Sequence, residues 1–203
     1  MPVTRLYGPS GAPGAAGLLG LNVAGATAGV LPAKQIVSSG TETVILNPAL
    51  NSATQALVLS IPPNAQLEQQ PFKVVACGYL STGASSTVTI KLYSGTSTTV
   101  GSDTLLGSSG AISAFSGKCP WYLVANLIFD SVSGKMQGSI RFMVNNSLVA
   151  ETAISNVVTG ITNFPTTPGG APVVNFVLSV TFGTANAANT INVDDFGVYD
   201  AVA

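Results

Sequence analysis

Histidine is absent from the 203-residue chain, and only 15 residues are charged, seven Lys or Arg and eight Asp or Glu. Without imidazole there is no Ser-His-Asp triad, no Cys-His pair and no histidine-ligated zinc or iron site, because each needs a ring nitrogen to carry a proton or bind a metal. Most hydrolase chemistry is thereby excluded, and no catalytic residue and no cofactor is assigned. The seven cations are spread from Arg5 to Arg141, never adjacent, and the formal net charge is −1. No basic stripe exists to neutralise phosphates, so nucleic acid is not an expected partner. No run approaches the roughly 18 apolar residues needed to span a bilayer, so a membrane is not expected either. Leu18 to Leu31 is apolar enough to suggest the core of a signal peptide. Gly residues, Asn22 and Thr27 interrupt it, and a Gly/Pro-rich stretch precedes it where a basic segment belongs, so secretion is not expected.

Two cysteines, Cys77 and Cys119, are too few for a disulfide scaffold and lack the spacing of a metal knuckle. Both sit inside apolar runs, which reads as small buried strand residues, with a disulfide between them as the alternative. Hydrophobic residues make up 46% of the chain, and mean hydropathy is +0.48. Solubility therefore rests on neutral Ser, Thr and Asn, and apolar surface has to be covered by a core or by other subunits.

Residues 1–33 read as an extended arm. Gly recurs at 8, 11, 14, 17 and 20, a collagen-like Gly-X-Y run too short to hold three chains together by itself. A segment of this kind is expected to order against a neighbour. From Lys34 the hydrophobic period is two, and 34–203 reads as one domain of half-buried strands. Phe72, Val74, Ala76 and Leu80 form one inward set, and Val88, Ile90 and Leu92 another. Met136, Ile140 and Phe142 face in while Lys135, Gln137 and Arg141 face out, and Phe176, Leu178, Val180 and Phe182 repeat the pattern. Turns are expected at Ser81-Thr82-Gly83, Ser94-Gly95-Thr96, Asn145-Asn146 and within Pro165 to Pro172. Trp121–Ser131 and Gly134–Asn145 read as a long hairpin, with Gly134 available for a positive-φ bulge. Helical periodicity is weak throughout, its best stretch being Leu148 to Val158. About nine strands imply an all-β, antiparallel two-sheet sandwich of the jelly-roll type.

Three groups compete as sites. Asp194, Asp195 and Asp200 form the densest carboxylate group and could hold calcium, but their spacing matches no calcium loop, and solvent-facing acids at a strand end are the simpler reading. Trp121 and Tyr122, with Tyr79, could form a sugar-stacking platform, although a lone Trp after Pro120 at the start of an apolar strand also reads as a core anchor. Asn145-Asn146-Ser147 has the glycosylation pattern but reads as a turn. No metal site is assigned.

The stretch from Phe72 to Asp200 resembles β-sandwich structural proteins of tailed-bacteriophage virions, of the capsid-decoration (cement) and head-fibre kinds. The likeness is carried by Phe72-Lys73-Val74 to Gly78, Thr87-Val88-Thr89-Ile90-Lys91-Leu92-Tyr93-Ser94-Gly95-Thr96, Trp121-Tyr122-Leu123 to Phe129-Asp130-Ser131, and Gly134-Lys135-Met136-Gln137-Gly138. Thr190-Ile191-Asn192-Val193 to Phe196, following the Phe182-Gly183-Thr184-Ala185-Asn186 turn, completes it. The resemblance implies a non-enzymatic virion protein, assembled in the host cytoplasm, that binds the major capsid protein of an assembled shell, commonly as a homotrimer, and stabilises the particle. It also implies that the arm docks on the shell through Arg5, Tyr7, Pro9, Pro13, Leu18, Leu19 and Leu21. The alternatives are a carbohydrate-binding sandwich taking a surface glycan on Trp121 and Tyr122, and a coat or fibre subunit that assembles by itself.

Overall fold

The structure, a computed structural model, describes residues 33–36, 40–45, 57–61, 71–83, 87–97, 99–113, 115, 117–130, 135–157 and 174–200. The seven anchoring residues assigned to the arm lie outside them, as do Ser131 to Gly134 and Pro165 to Pro172.

Eleven strands are present among the described residues: β1 Ala33–Ile36, β2 Thr43–Val44, β3 Val58–Ile61, β4 Phe72–Ser81, β5 Val88–Gly95, β6 Thr104–Ser108, β7 Cys119–Asp130, β8 Lys135–Val144, β9 Ser147–Val157, β10 Val174–Phe182 and β11 Thr190–Asp200. They form two antiparallel sheets packed face to face, which is the expected sandwich. One sheet has the order β1-β11-β4-β7-β8-β9, and the other β2-β10-β5-β6 with β3 also on β10. The stretch with the best helical spacing is strand β9.

Alternation decides which side chains meet between the sheets. Phe72, Val74, Ala76 and Leu80 of β4 are buried, as are Val88, Ile90 and Leu92 of β5 and Met136, Ile140 and Phe142 of β8. Phe72 meets Phe176 of the opposite sheet edge-on, with ring centroids 6.3 Å apart. The β7–β8 hairpin forms in continuous register from Trp121↔Val144 to Asp130↔Lys135. β8 turns into β9 through Asn145 and Asn146, both at positive φ (51° and 62°), which asparagine tolerates better than other side chains. β10 departs from simple alternation. Val177 and Ser179, on its other face, are also fully buried, with Val58, Val44 and Val100 packed around Val177. Both faces of this central strand are therefore covered.

At one point the six-stranded sheet depends on a missing side chain. Trp121 stands beside Gly78 in the β4–β7 register, pointing inward, and its indole Nε1–H donates to the Asn192 carbonyl of β11 at 3.0 Å. That bond spans β4. A Cβ on residue 78 would lie 1.9 Å from the same carbonyl oxygen, so only glycine leaves the space. Just beyond Asn192 the register shifts between Val193 and Asp195, leaving Asp194 as the extra residue of a bulge.

Trp121→Phe keeps an aromatic ring but removes the donor and some buried volume, and it is expected to cost about 1–3 kcal/mol. Urea denaturation measures it; a variant as stable as the parent would remove this bond from the account of the fold.

Candidate functional site

The outward residues of the same strands form a continuous surface. Cys77 of β4 pairs with Asp195 of β11 on one side and Tyr122 of β7 on the other, and Tyr122 pairs with Met143 of β8. The next row runs Gly197, Val75, Val124, Arg141, and the one beyond it Tyr199, Lys73, Asn126, Ser139. Tyr79 pairs with Pro120, so it is the diagonal neighbour of Tyr122, at a spacing of about 7–8 Å that aromatic side chains bridge. The surface is apolar and aromatic in the middle and carries amides and carboxylates along the β11 side.

Two open hollows share Cys77 and Tyr122 on this surface. One, of about 410 Å³, lies among Tyr79, Pro120, Met143, Asn146 and Asp194. The other, of about 490 Å³, lies among Lys73, Val75, Val124, Asn126, Asp195 and Tyr199. Both volumes fall within the range of small-ligand sites, and apolar walls with a few polar groups are the usual composition of such sites.

The aromatic platform differs from its expected form. Trp121 is only 2% exposed and belongs to the core, as the anchor reading held, so its face is unavailable for stacking. Neighbouring residues of a strand point to opposite faces, and Tyr122 is 40% exposed on the outer side. The exposed pair is Tyr122 and Tyr79, the latter 46% exposed, with Lys118 Nζ 6.0 Å from its ring centroid. Burial first, then the charges of Cys77 and Asp195, push the Tyr122 phenol up, so it stays protonated and able to donate at neutral pH.

Asp194 and Asp195 lie at the bulge within β11 and not at a strand end. Asn192 Nδ2 donates to Asp194 Oδ1, and the Tyr199 hydroxyl donates to Asp195 Oδ2. Among the described residues no group of three or more His, Cys, Asp or Glu side chains could hold a metal ion. The cysteines are free and face opposite ways: Cys119 is buried, whereas Cys77 is half-exposed on the outer surface, contrary to the expectation that both are buried. The Cys77 thiol is pushed up by burial, then by Asp195 and Asp194, which outweigh a backbone hydrogen bond from Asp195. A raised thiol is a poor nucleophile. No sequence signal marked the bulge; the position of Tyr79 was present in the odd-numbered alternation of β4.

A second polar cluster lies on the outer side of the other sheet. Glu42 Oε1 accepts from the Tyr93 hydroxyl (2.8 Å) and Ser179 Oγ (2.5 Å), and Oε2 accepts from Lys91 Nζ (2.8 Å). Its hydrogen-bonding capacity is spent on tying the β2 segment to β5 and β10. Burial by itself raises the Glu42 carboxyl, but the bonds from Lys91, Ser179 and Tyr93 outweigh it and hold the group below its ordinary value. The Glu42 hydrogen bond in turn holds Lys91 above its own, against burial.

No protein-family model matches the chain, and no curated protein is significantly similar to it.

Two outcomes are expected. Cys77 should react with a disulfide reagent at pH 8 more slowly than the same thiol in the denatured chain, and Asp195→Asn should speed it; equal native and denatured rates would contradict the site's electrostatics. A depressed carboxyl contributes stability above its unfolded pKa and loses it as pH falls through the folded value. Glu42→Gln should therefore lower the unfolding free energy measured in urea at neutral pH, by no more than about 1 kcal/mol for so exposed a pair, with the difference vanishing in acid. A penalty that persists unchanged in acid would show that the carboxylate charge is not what matters.

Proposed function

We propose that this chain acts by binding and not by catalysis: a β-sandwich module whose six-stranded sheet takes carbohydrate on its outer face, carried by a structural protein of the tailed-phage virion type. The observation that supports the ligand class is the exposed Tyr79–Tyr122 pair over two adjoining hollows edged by Asn126, Asn146, Asp194 and Asp195. Pyranose rings present an apolar C–H face and a rim of hydroxyls. Neutral aromatic faces receive the first, and carboxamides, carboxylates and phenols bond the second. The same surface offers no group suited to covalent or acid–base work on a sugar: its thiol is raised, and its two carboxylates are adjacent on one strand, whereas glycosidases set a pair across a cleft.

The virion setting rests on the resemblance of residues 72–200 together with the low charge of the chain, since surfaces buried between subunits are depleted in charge. In that setting the winding is of the jelly-roll type, and repetition over a particle turns weak single-site affinity into avidity. Capsid decoration, with the major capsid protein as partner and residues 1–33 as the docking arm, is the companion reading. It is favoured by exposed apolar residues along one side of the sandwich.

Glycan-array screening of the full chain distinguishes the two. The carbohydrate reading expects binding to neutral oligosaccharides that weakens about tenfold, equivalent to ~1.4 kcal/mol, in Tyr122→Ala and in Tyr79→Ala with unfolding midpoints near the parent's. Absence of any glycan binding, with full occupancy on phage shells, would instead assign the protein to decoration.

A further inference from the structure

Five large hydrophobic residues are exposed among the described residues, and they fall into two groups. Tyr79 and Tyr122 occupy the face above. Leu148 (56% exposed), Val149 (37%) and Leu105 (40%) sit on β9 and β6, the last strands of their respective sheets. These two strands close the same side of the sandwich, and Asn156 Nδ2 of β9 donates to the Leu105 carbonyl of β6 at 2.8 Å. No described strand pairs with the outer edge of β9.

Soluble proteins blunt such an edge with lysine, proline or a bulge, because its unpaired N–H and C=O groups template another strand. β9 has eleven residues with neither lysine nor proline. Its one charge, Glu151, is engaged by Arg141 Nε of its own sheet at 2.8 Å. One bulge, at Val149, interrupts its N-terminal end, and the register is regular from Ala150 onward. Thr152 is paired with Ile140, on the inward side of the sheet, yet it is exposed, at the margin of the core.

We propose that β9 pairs antiparallel with β9 of a second copy of this chain, joining the two six-stranded sheets across a twofold axis near Thr152. A copy of the same chain fits because the strand is self-complementary about that point. Glu151 then faces Ala153 of the partner subunit, with no like charges opposed, and Ala150 faces Ile154 of the partner subunit. Ala150 packs on the core and Ile154 is buried in it, so the core face continues across the join. Threonine faces threonine at the axis, a favourable cross-strand pair. The regular part of the join, Ala150 to Ile154 of each strand, spans about 17 Å. An isologous contact of this type closes as a dimer and does not propagate.

Sedimentation velocity on the full chain, with amide hydrogen exchange followed at low and high concentration, tests the pairing. The expected result is a species of twice the chain mass in which the amides of 150–156 exchange more slowly as concentration rises. Thr152→Lys sets two ammonium groups at the axis and should return the protein to single chains without changing its unfolding midpoint on dilution. Thr152→Cys should form an intermolecular disulfide on mild oxidation. A chain that stays single at every concentration overturns the proposal, as does any assembly, in threes or otherwise, that survives Thr152→Lys with the β9 amides unprotected.

Discussion

The hydrogen bond from the Trp121 indole to the Asn192 carbonyl, together with the buried Leu123, Leu127 and Phe129, holds the inward face of β7, and most of the surface chemistry follows from that. In a strand a one-residue slip would exchange Trp121 with Tyr122 and move every neighbouring side chain to the other side of the sheet. With the indole tied across Gly78, Trp121 is held in the core and Tyr122 is held outside. The tie ends on β11 next to the bulge that places Asp194 and Asp195 at the margin of the two hollows. One missing Cβ at position 78 thus links the packing of the core to the composition of the outer face.

The scarcity of charge shapes both surfaces that remain open. A sandwich normally keeps its outer faces wet and its edges guarded with Lys and Glu. Here the outer face of the six-stranded sheet carries tyrosines, a half-exposed thiol and amides among a few charges (Lys73, Arg141, Asp194 and Asp195), and the β9 edge carries Leu148, Val149 and a paired glutamate. The two regions differ in kind. The face carries two open hollows edged by hydrogen-bonding groups, which suits a small polar ligand with an apolar side, whereas the edge is backbone-rich, which suits another strand. The charge around Glu42 is used to hold β2 against β5 and β10.

Much of the architecture was legible in the alternation of single strands. The inward sets of β4, β5 and β8, the β7–β8 hairpin and the Asn145-Asn146 turn follow directly from period two and from the tolerance of asparagine for positive φ. Three features were not. β10 reads as one inward face because its second face is covered by residues 44, 58 and 100, far away in the chain. Cys77 lies in an apolar run but shares parity with Lys73, so it faces outward. The bulge at Asp194 lies beside a carbonyl bonded by a tryptophan two strands away, a partner that local sequence does not disclose. The stacking pair was half legible: Tyr79 and Tyr122 were named, but grouping Trp121 with Tyr122 set aside the alternation that separates adjacent residues.

The central claim is that the Tyr79–Tyr122 face of the six-stranded sheet is where this protein meets its ligand. Amide chemical-shift mapping of the labelled full chain during titration with neutral oligosaccharides tests it most directly. The account predicts saturable shifts at Lys73 to Tyr79, Tyr122 to Asn126, Asn146 and Asp194 to Tyr199, with the β6 and β9 edge unaffected. An unmoved face under saturating sugar, or shifts confined to that edge, would contradict it.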